Sequence, residues 1–404
     1  MRVNLVVPPL NRTKFSGGIY SIMQYADGLA RRGHEVNVIP IEPSSEPTWF
    51  SGAYTIVCRP LPARGLAWLR SCGPALAHLA KLLLPTADQT KLKSSLRRMV
   101  GDAALLLDPR LLPLELRRAV SLLYLREAVP EADATIATSF ETALPARLHG
   151  SHRKFYFLQH YEAYFKEEYN NADLAEIDAH LSYHLGLRMI ANSTWLKRKV
   201  ETEVTGAHVE LCPNAIDHGL FYSKGKPAGS DNHGEVLVIS YGGRNAVWKG
   251  FSEMAEAMRI VCKALPSVNI RWQVFGDALL PANNGIAPYE HLGFLKPVQL
   301  ADAYRNADIL LSASWYESFP AFPLEAMACG LAVITTQCGT EDYAIHGETA
   351  EIVEARNPES IAEGLIRLIK DDEYRQRIAL NGCAISKEFT WAKSVSRMEE
   401  IISG

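Results

Sequence analysis

Ser314-Trp315-Tyr316-Glu317-Ser318-Phe319-Pro320-Ala321-Phe322-Pro323-Leu324-Glu325-Ala326-Met327-Ala328-Cys329-Gly330 follows the apolar run Ile309-Leu310-Leu311, and this order of residue types predicts a buried strand, a loop and a helix. Pro323 suits the first helical turn, where its missing N–H costs nothing. Glu325 is therefore expected at the positive end of that helix, with Glu317 in the loop facing it. A strand that delivers a loop and a helix N-terminus is where open α/β sheets hold phosphorylated ligands.

The flanking sequence repeats that grammar. Strands are predicted at Glu235–Tyr241, Asn269–Phe275, Asp308–Ser312, Ala332–Thr336 and Ala350–Val353, with helices between them. Alternation of this kind implies a parallel, doubly wound sheet with its ligand edge at the strand C-termini. A second series occupies the first half of the chain. Arg2 to Pro8 reads as a buried strand, and Gly17-Gly18 opens a helix from Ile19 to Arg32 that Gly33 caps before the strand Glu35–Ile39. Further strands are expected at Ala134–Ser139, at Lys154–Leu158, which ends in the polar group Gln159-His160-Tyr161-Glu162, at Leu187–Ser193 and at His208–Cys212. Ser193 or Thr194 is the expected cap of the helix that follows. At 404 residues two domains of roughly 200 residues each are expected. Residues 223–234, rich in Gly, Lys, Pro, Ser and Asn, have linker chemistry. The domains are placed at 1–222 and 223–388, with 389–404 a closing helix that returns to the first domain.

Composition narrows the class. A 48% hydrophobic, 22% charged chain is that of a soluble globular protein. The net charge of −3 does not suggest nucleic-acid binding. Seven cysteines without a CxxC pair fit reduced thiols better than a disulfide framework. The N-terminus reads as a strand rather than a signal peptide, and no run of about 18 uncharged apolar residues is present. A cytoplasmic location is the expectation. Within residues 59–126, 12 basic side chains face 4 acidic ones. That region reads either as helices packed on a sheet, with their basic faces in solvent, or as an amphipathic basic surface resting on the anionic inner face of a membrane.

Chemistry converges on one edge. After the first strand of the second series comes Gly242-Gly243-Arg244-Asn245-Ala246-Val247-Trp248-Lys249-Gly250, where a glycine turn and two cations five positions apart suit a diphosphate. Glu317 and Glu325 enter from a neighbouring strand end, and Gln337-Cys338-Gly339-Thr340-Glu341 supplies another loop there.

With Ser16-Gly17-Gly18, Ala191 to Lys197, Pro213 to Asp217, Gly243-Arg244 with Lys249-Gly250, Leu292-Gly293-Phe294 and the Glu-x7-Glu block, the chain resembles the retaining GT-B glycosyltransferases grouped as family GT4. The resemblance implies two Rossmann-like domains facing across a cleft, the first binding the acceptor and the second the nucleotide-sugar, and transfer of a sugar from a nucleotide-diphosphate sugar to a hydroxyl of a glycan or lipid-linked acceptor. Surface polysaccharide or glycolipid synthesis is the setting it implies. By the same resemblance Arg244 and Lys249 grip the donor diphosphate and Glu325 takes the ribose hydroxyls. Glu317 contacts the sugar with main-chain groups of Phe319, Ala321 and Phe322 beside it. Gly17 and Gly18 approach the phosphates, His160 reaches the donor sugar, and the backbone of Leu295 reads the base. No metal and no cofactor are implied, because cations and helix dipoles neutralise the leaving diphosphate. Pro320 departs from the family's Gly-Phe-Gly and removes one amide donor. A nucleotide-sugar epimerase, a phosphorylase and a non-catalytic nucleotide-sugar-binding protein are the alternatives on the same fold.

Overall fold

A computed structural model describes residues 1–13, 15–42, 44–57, 129–149, 151–164, 172–225, 234–243, 246–277 and 287–404. The basic region 59–126, most of the linker and Arg244 lie outside these residues.

Two parallel sheets organise the chain. The first takes β1 (Arg2–Val7), β2 (Glu35–Pro40), β3 (Thr55–Ile56), β4 (Ala134–Ala137), β5 (Arg153–Leu158), β6 (Arg188–Ala191) and β7 (Val209–Leu211) in the order β3-β2-β1-β4-β5-β6-β7. Its helices are α1 (Gly17–Arg31), α2 (Phe140–Leu148), α3 (Ala172–Ser182) and α4 (Thr194–Glu203). The second sheet is built of β8 (Glu235–Gly242), β9 (Asn269–Gly276), β10 (Glu290–Gly293), β11 (Ile309–Ser312), β12 (Ala332–Thr335) and β13 (Glu351–Ile352) in the order β10-β9-β8-β11-β12-β13. With it go α5 (Phe251–Ala264), α6 (Pro297–Asn306), α7 (Ala321–Cys329), α8 (Pro358–Lys370), α9 (Asp372–Ser386) and α10 (Trp391–Ser403).

In each sheet the strand order reverses beside the first strand, between β1 and β4 and between β8 and β11. Such a reversal opens the crevice in which doubly wound folds bind ligands. Strands covered on both faces read as continuous apolar runs, as in β4 and β12, where every residue is buried. Alternate residues of the second sheet feed two cores. Val238, Ile309, Leu311 and Ile334 pack with α5 and α8 on one face, and Ile239, Leu310 and Val333 pack with α6 and α7 on the other.

By its contacts the described chain divides into two units, Met1–Phe157 with Glu162–Met189 and Gly404, and Leu158–Tyr161 with Ile190–Ser403. Within the second unit α10 bonds to the region of β7: Arg397 Nε–H donates to the Leu211 carbonyl at 3.2 Å, its guanidinium pairs with Glu210 at 2.8 Å, and the Cys212 thiol donates to the Ser394 carbonyl at 3.4 Å. Ser193 caps α4, its Oγ accepting the Leu196 N–H at 3.1 Å.

The expected strands are present with ends displaced by a few residues. β3 and β10 are additional, and both escape pattern reading. β3 has only two residues, and β10 is Glu-His-Leu-Gly without a buried position. One expectation is corrected. α7 begins at Ala321, and its first turn carries no acid, so Glu325 stands one turn in rather than at the helix's positive end.

Among the described residues no helix is long and apolar enough to cross a membrane.

Candidate active site

The crevice between β8 and β11 is shaped by two loops fastened to each other at successive residues. After β8 the chain makes a single 3-10 turn, Val247–Lys249, and enters α5 through Gly250 at φ 72°. A Cβ on Gly250 would lie 2.1 Å from the Ala313 carbonyl oxygen, so only glycine lets this turn rest on the loop after β11. The Trp315 N–H donates to the Trp248 carbonyl at 2.6 Å. The Trp248 and Tyr316 rings stack 6.3 Å apart at 12°. One residue further along each loop, the Lys249 ammonium bonds the Glu317 carboxylate. Gly250→Ala is expected to lower the melting temperature sharply, since left-handed strain of about 1–2 kcal/mol adds to an overpacking cost of about 1–3 kcal/mol. A thermal-unfolding midpoint equal to wild type would show that the turn can move.

Glu317 is 6% exposed, and its partner Lys249 reaches it from a partly open position. Two aromatic faces support the ammonium, Phe322 at 5.7 Å and Tyr241 at 6.0 Å. Phe322 is itself braced by Tyr241 and Phe275, each at 5.2 Å. His160, which groups with the second unit, feels both charges. Burial pushes its imidazole below the ordinary range, Glu317 pulls it up and Lys249 pushes it down. The ring is thereby held neutral, able to donate from one nitrogen and accept at the other.

The Glu-x7-Glu loop is locked from the far side by the loop after β12. Gly339, at φ 81°, has no room for a Cβ, which would stand 2.5 Å from the Glu317 carbonyl oxygen and 2.6 Å from that of Ser318. The Tyr343 hydroxyl donates to the Pro320 carbonyl at 2.7 Å, and Phe319 packs against Tyr343 and Phe389. Two polar atoms inside this frame are left over. Ser318 Oγ and Glu325 Oε2 are buried with no hydrogen-bond partner among the described residues. Burial pushes the Glu325 carboxyl up to about 8. Buried polar atoms are nearly always paired, so both stand ready for hydroxyl or amide groups from outside.

Of the predicted residues, Lys249, Glu317, Phe322 and His160 come together by bond, ring contact or charge, and Phe319 and Glu325 flank them on the same loop and helix. Ala321 is exposed as the first residue of α7, and Leu295 is partly buried on the second core. Gly17 and Gly18 open α1 in the first unit, where nothing among the described residues lies within 4 Å of either added Cβ. Arg244 is outside the described residues. Sequence reasoning missed Trp248, Tyr316 and Tyr343; for the first two the available signal was an aromatic residue immediately before a charged one.

Known proteins extend this picture. The glycosyltransferase WaaG, involved in lipopolysaccharide biosynthesis, superposes with a TM-score of 0.67 over 100% of both chains at 15% identity. Anabaena HepE, solved with UDP and glucose, superposes with a TM-score of 0.63 at 14% identity, over 100% of this chain and 99% of its own. The fold is GT-B. Residues 236–371, from β8 through α8, match the family model of glycosyl transferases group 1. Among curated proteins, phosphatidyl-myo-inositol mannosyltransferase of Mycobacterium tuberculosis is 27% identical over 221 residues, 52% of this chain and 58% of that protein. The chain spans about half the length of the curated relatives it matches.

Proposed function

We propose that the protein transfers a sugar from a nucleotide-diphosphate sugar to a hydroxyl of a glycan or lipid-linked acceptor, with retention of anomeric configuration, in glycolipid or surface polysaccharide synthesis. The observation that carries this reading is the Lys249–Glu317 pair at the strand-order reversal, with the buried, unpaired Glu325 Oε2 on the helix that follows Glu317. A diphosphate entering there competes with Glu317 for Lys249. Once Lys249 turns to the phosphate, Glu317 is released to accept hydrogen bonds from sugar hydroxyls. Glu325 takes ribose hydroxyls, which supply the donors its buried oxygen lacks. In this reading neutral His160 hydrogen-bonds the sugar rather than adding positive charge.

α7 contributes less to the phosphates than a helix start ordinarily does. Of its first four N–H positions, Pro320 and Pro323 have none, which leaves Ala321 and Phe322 as donors. Charge neutralisation then falls on Lys249 and Arg244, with an amide at Gly18 and the backbone of Leu295 in the supporting roles the family resemblance gives them. As the glycosidic bond breaks, electrons pass to the diphosphate oxygen. The acceptor hydroxyl attacks the anomeric carbon from the leaving-group face and gives its proton to that departing oxygen. Glu317 stays a positioning group, without a covalent intermediate. Contact with an anionic membrane through residues 59–126 would bring such an acceptor within reach.

Incubation with UDP-, GDP- and dTDP-sugars should release nucleoside diphosphate from one of them, faster when acceptor extracts are added. An α-configured donor should give an α-configured product by NMR. No release from any donor, with or without extract, would leave only a binding protein.

A further inference from the structure

A second built feature stands in the first unit, on the loops that leave the C-terminal ends of β1 and β2. The two loops are pinned together. The Leu10 N–H donates to Ser44 Oγ at 3.0 Å, and both the N–H and the hydroxyl of Thr48 donate to the Arg12 carbonyl at 2.9 Å. The Ala53 N–H donates to Asp27 Oδ1 on α1 at 2.8 Å. Gly52 makes the return tight, since a Cβ there would stand 2.6 Å from the Tyr54 ring. On this frame five rings form a chain. Trp49 meets Phe15 at 5.2 Å, Phe15 meets Tyr20 at 5.7 Å, Tyr20 meets Phe50 at 5.7 Å, and Phe50 stacks on Tyr54 at 6.2 Å.

These rings do not behave as core. None is fully buried, and Phe15 is 39% exposed, yet the Trp49 indole N–H and the Tyr54 hydroxyl are enclosed with no hydrogen-bond partner among the described residues. Indole and phenol groups inside a finished core ordinarily find partners. Burial holds the Tyr54 phenol up at about 12, so it remains a neutral donor. The cluster lies at the ligand edge of the first sheet, beside the open space over Gly17 and Gly18.

We propose that the Phe15-Tyr20-Trp49-Phe50-Tyr54 cluster is a carbohydrate subsite that takes one pyranose ring, its C–H face against the aromatic faces and its hydroxyls on the Trp49 indole N–H and the Tyr54 hydroxyl. Entry of the ring parts the aromatic side chains and exposes both donors. An alkyl chain would use the faces and leave both donors unpaired, which is why a sugar is the better match. That this sugar belongs to the acceptor rests on the transferase reading above; the subsite itself does not.

Saturation-transfer NMR on the full chain, with methyl glycosides of glucose, mannose, galactose and N-acetylglucosamine, reads the subsite without turnover. At least one glycoside should show saturation of its ring C–H protons. Its Kd should rise at least 5-fold in Trp49→Ala and measurably in Tyr54→Phe, the substitution that keeps the ring. UDP, GDP or dTDP binding should be unchanged in both, which also reports correct folding. Absence of saturation with every glycoside, or equal affinity in wild type and Tyr54→Phe, overturns the proposal. So does Trp49-dependent binding of octyl glucoside without binding of methyl glucoside, which would mark an apolar-chain site. Glycoside binding without donor turnover would sink the transferase reading alone, and turnover without glycoside binding would sink this subsite alone.

Discussion

Lys249→Met loses most of the nucleotide-sugar turnover and lowers stability, and Lys249→Met/Glu317→Gln recovers the stability but not the turnover. A charge-assisted hydrogen bond to phosphate contributes about 1.5–3 kcal/mol, so donor binding or turnover should fall at least 10-fold in the single variant. The stability effect has a separate origin. Glu317 is 6% exposed, and removing its ammonium partner leaves a carboxylate enclosed without compensation. Breaking a buried pair in this way costs roughly 3–5 kcal/mol, and partial solvent access on the Lys249 side puts the expected value near the lower end. Glu317→Gln alone should cost less, because the lysine can hydrate. Urea unfolding of the four proteins, paired with nucleoside diphosphate release, separates the two contributions. Wild-type behaviour of Lys249→Met in both assays would remove the pair from the site.

Glu325→Gln should show the opposite combination, weaker nucleotide binding in a protein that is no less stable. Burial raises the Glu325 carboxyl from 4.5 to about 8. A raised pKa means that the folded chain holds this proton more tightly than the unfolded chain does. Its contribution to stability is fully present below about pH 4.5 and is lost as the pH rises through about 8. Glutamine removes that loss, so the variant should unfold at or above the wild-type temperature at pH 8. Glu162, also pushed up to about 8 by burial, keeps a similar slope in both proteins and does not obscure the difference. Ribose hydroxyls donate best to the ionised carboxylate. Wild-type nucleotide affinity should therefore rise from pH 6 to pH 8, and this rise should be absent in Glu325→Gln, whose affinity at pH 8 falls about 10-fold or more. Calorimetric titration at several pH values tests this. A variant that binds as wild type, or melts lower at pH 8, would make Glu325 a packing residue.

Much of this site was legible as one-dimensional pattern. Buried parallel strands such as Ala134–Ala137 and Ala332–Thr335 announce themselves as unbroken runs of small and β-branched residues. Alternation with helices then places Lys249 after one strand of the second sheet, Glu317 after another, and Glu325 on the helix that follows Glu317. What was not legible depends on through-space fit. Gly250 reads as a turn residue, and only the Ala313 carbonyl 2.1 Å from its missing Cβ shows why no other residue serves. Trp248 and Tyr316 are far apart in sequence and carry no periodic signal, so their stacking emerges only once β8 and β11 are neighbours. The position of Glu325 shifted for a similar reason. Pro323 marks a first turn without fixing where it begins, and the Pro320 carbonyl, bonded to Tyr343, sets the start at Ala321.

The fastening of the two loops bears on how this fold can be re-engineered or can drift in sequence. Trp248, Lys249 and Gly250 on one loop answer Trp315 with Tyr316, Glu317 and Ala313 on the other, while Gly339 closes on the carbonyls of Glu317 and Ser318. Transplanting residues 314–325 alone into a relative would separate each member of these pairs from its counterpart. The smallest unit that can be exchanged intact is three discontinuous segments, 248–250, 313–325 and 339. Changes in donor preference written into one segment are then expected to be inherited only together with the other two.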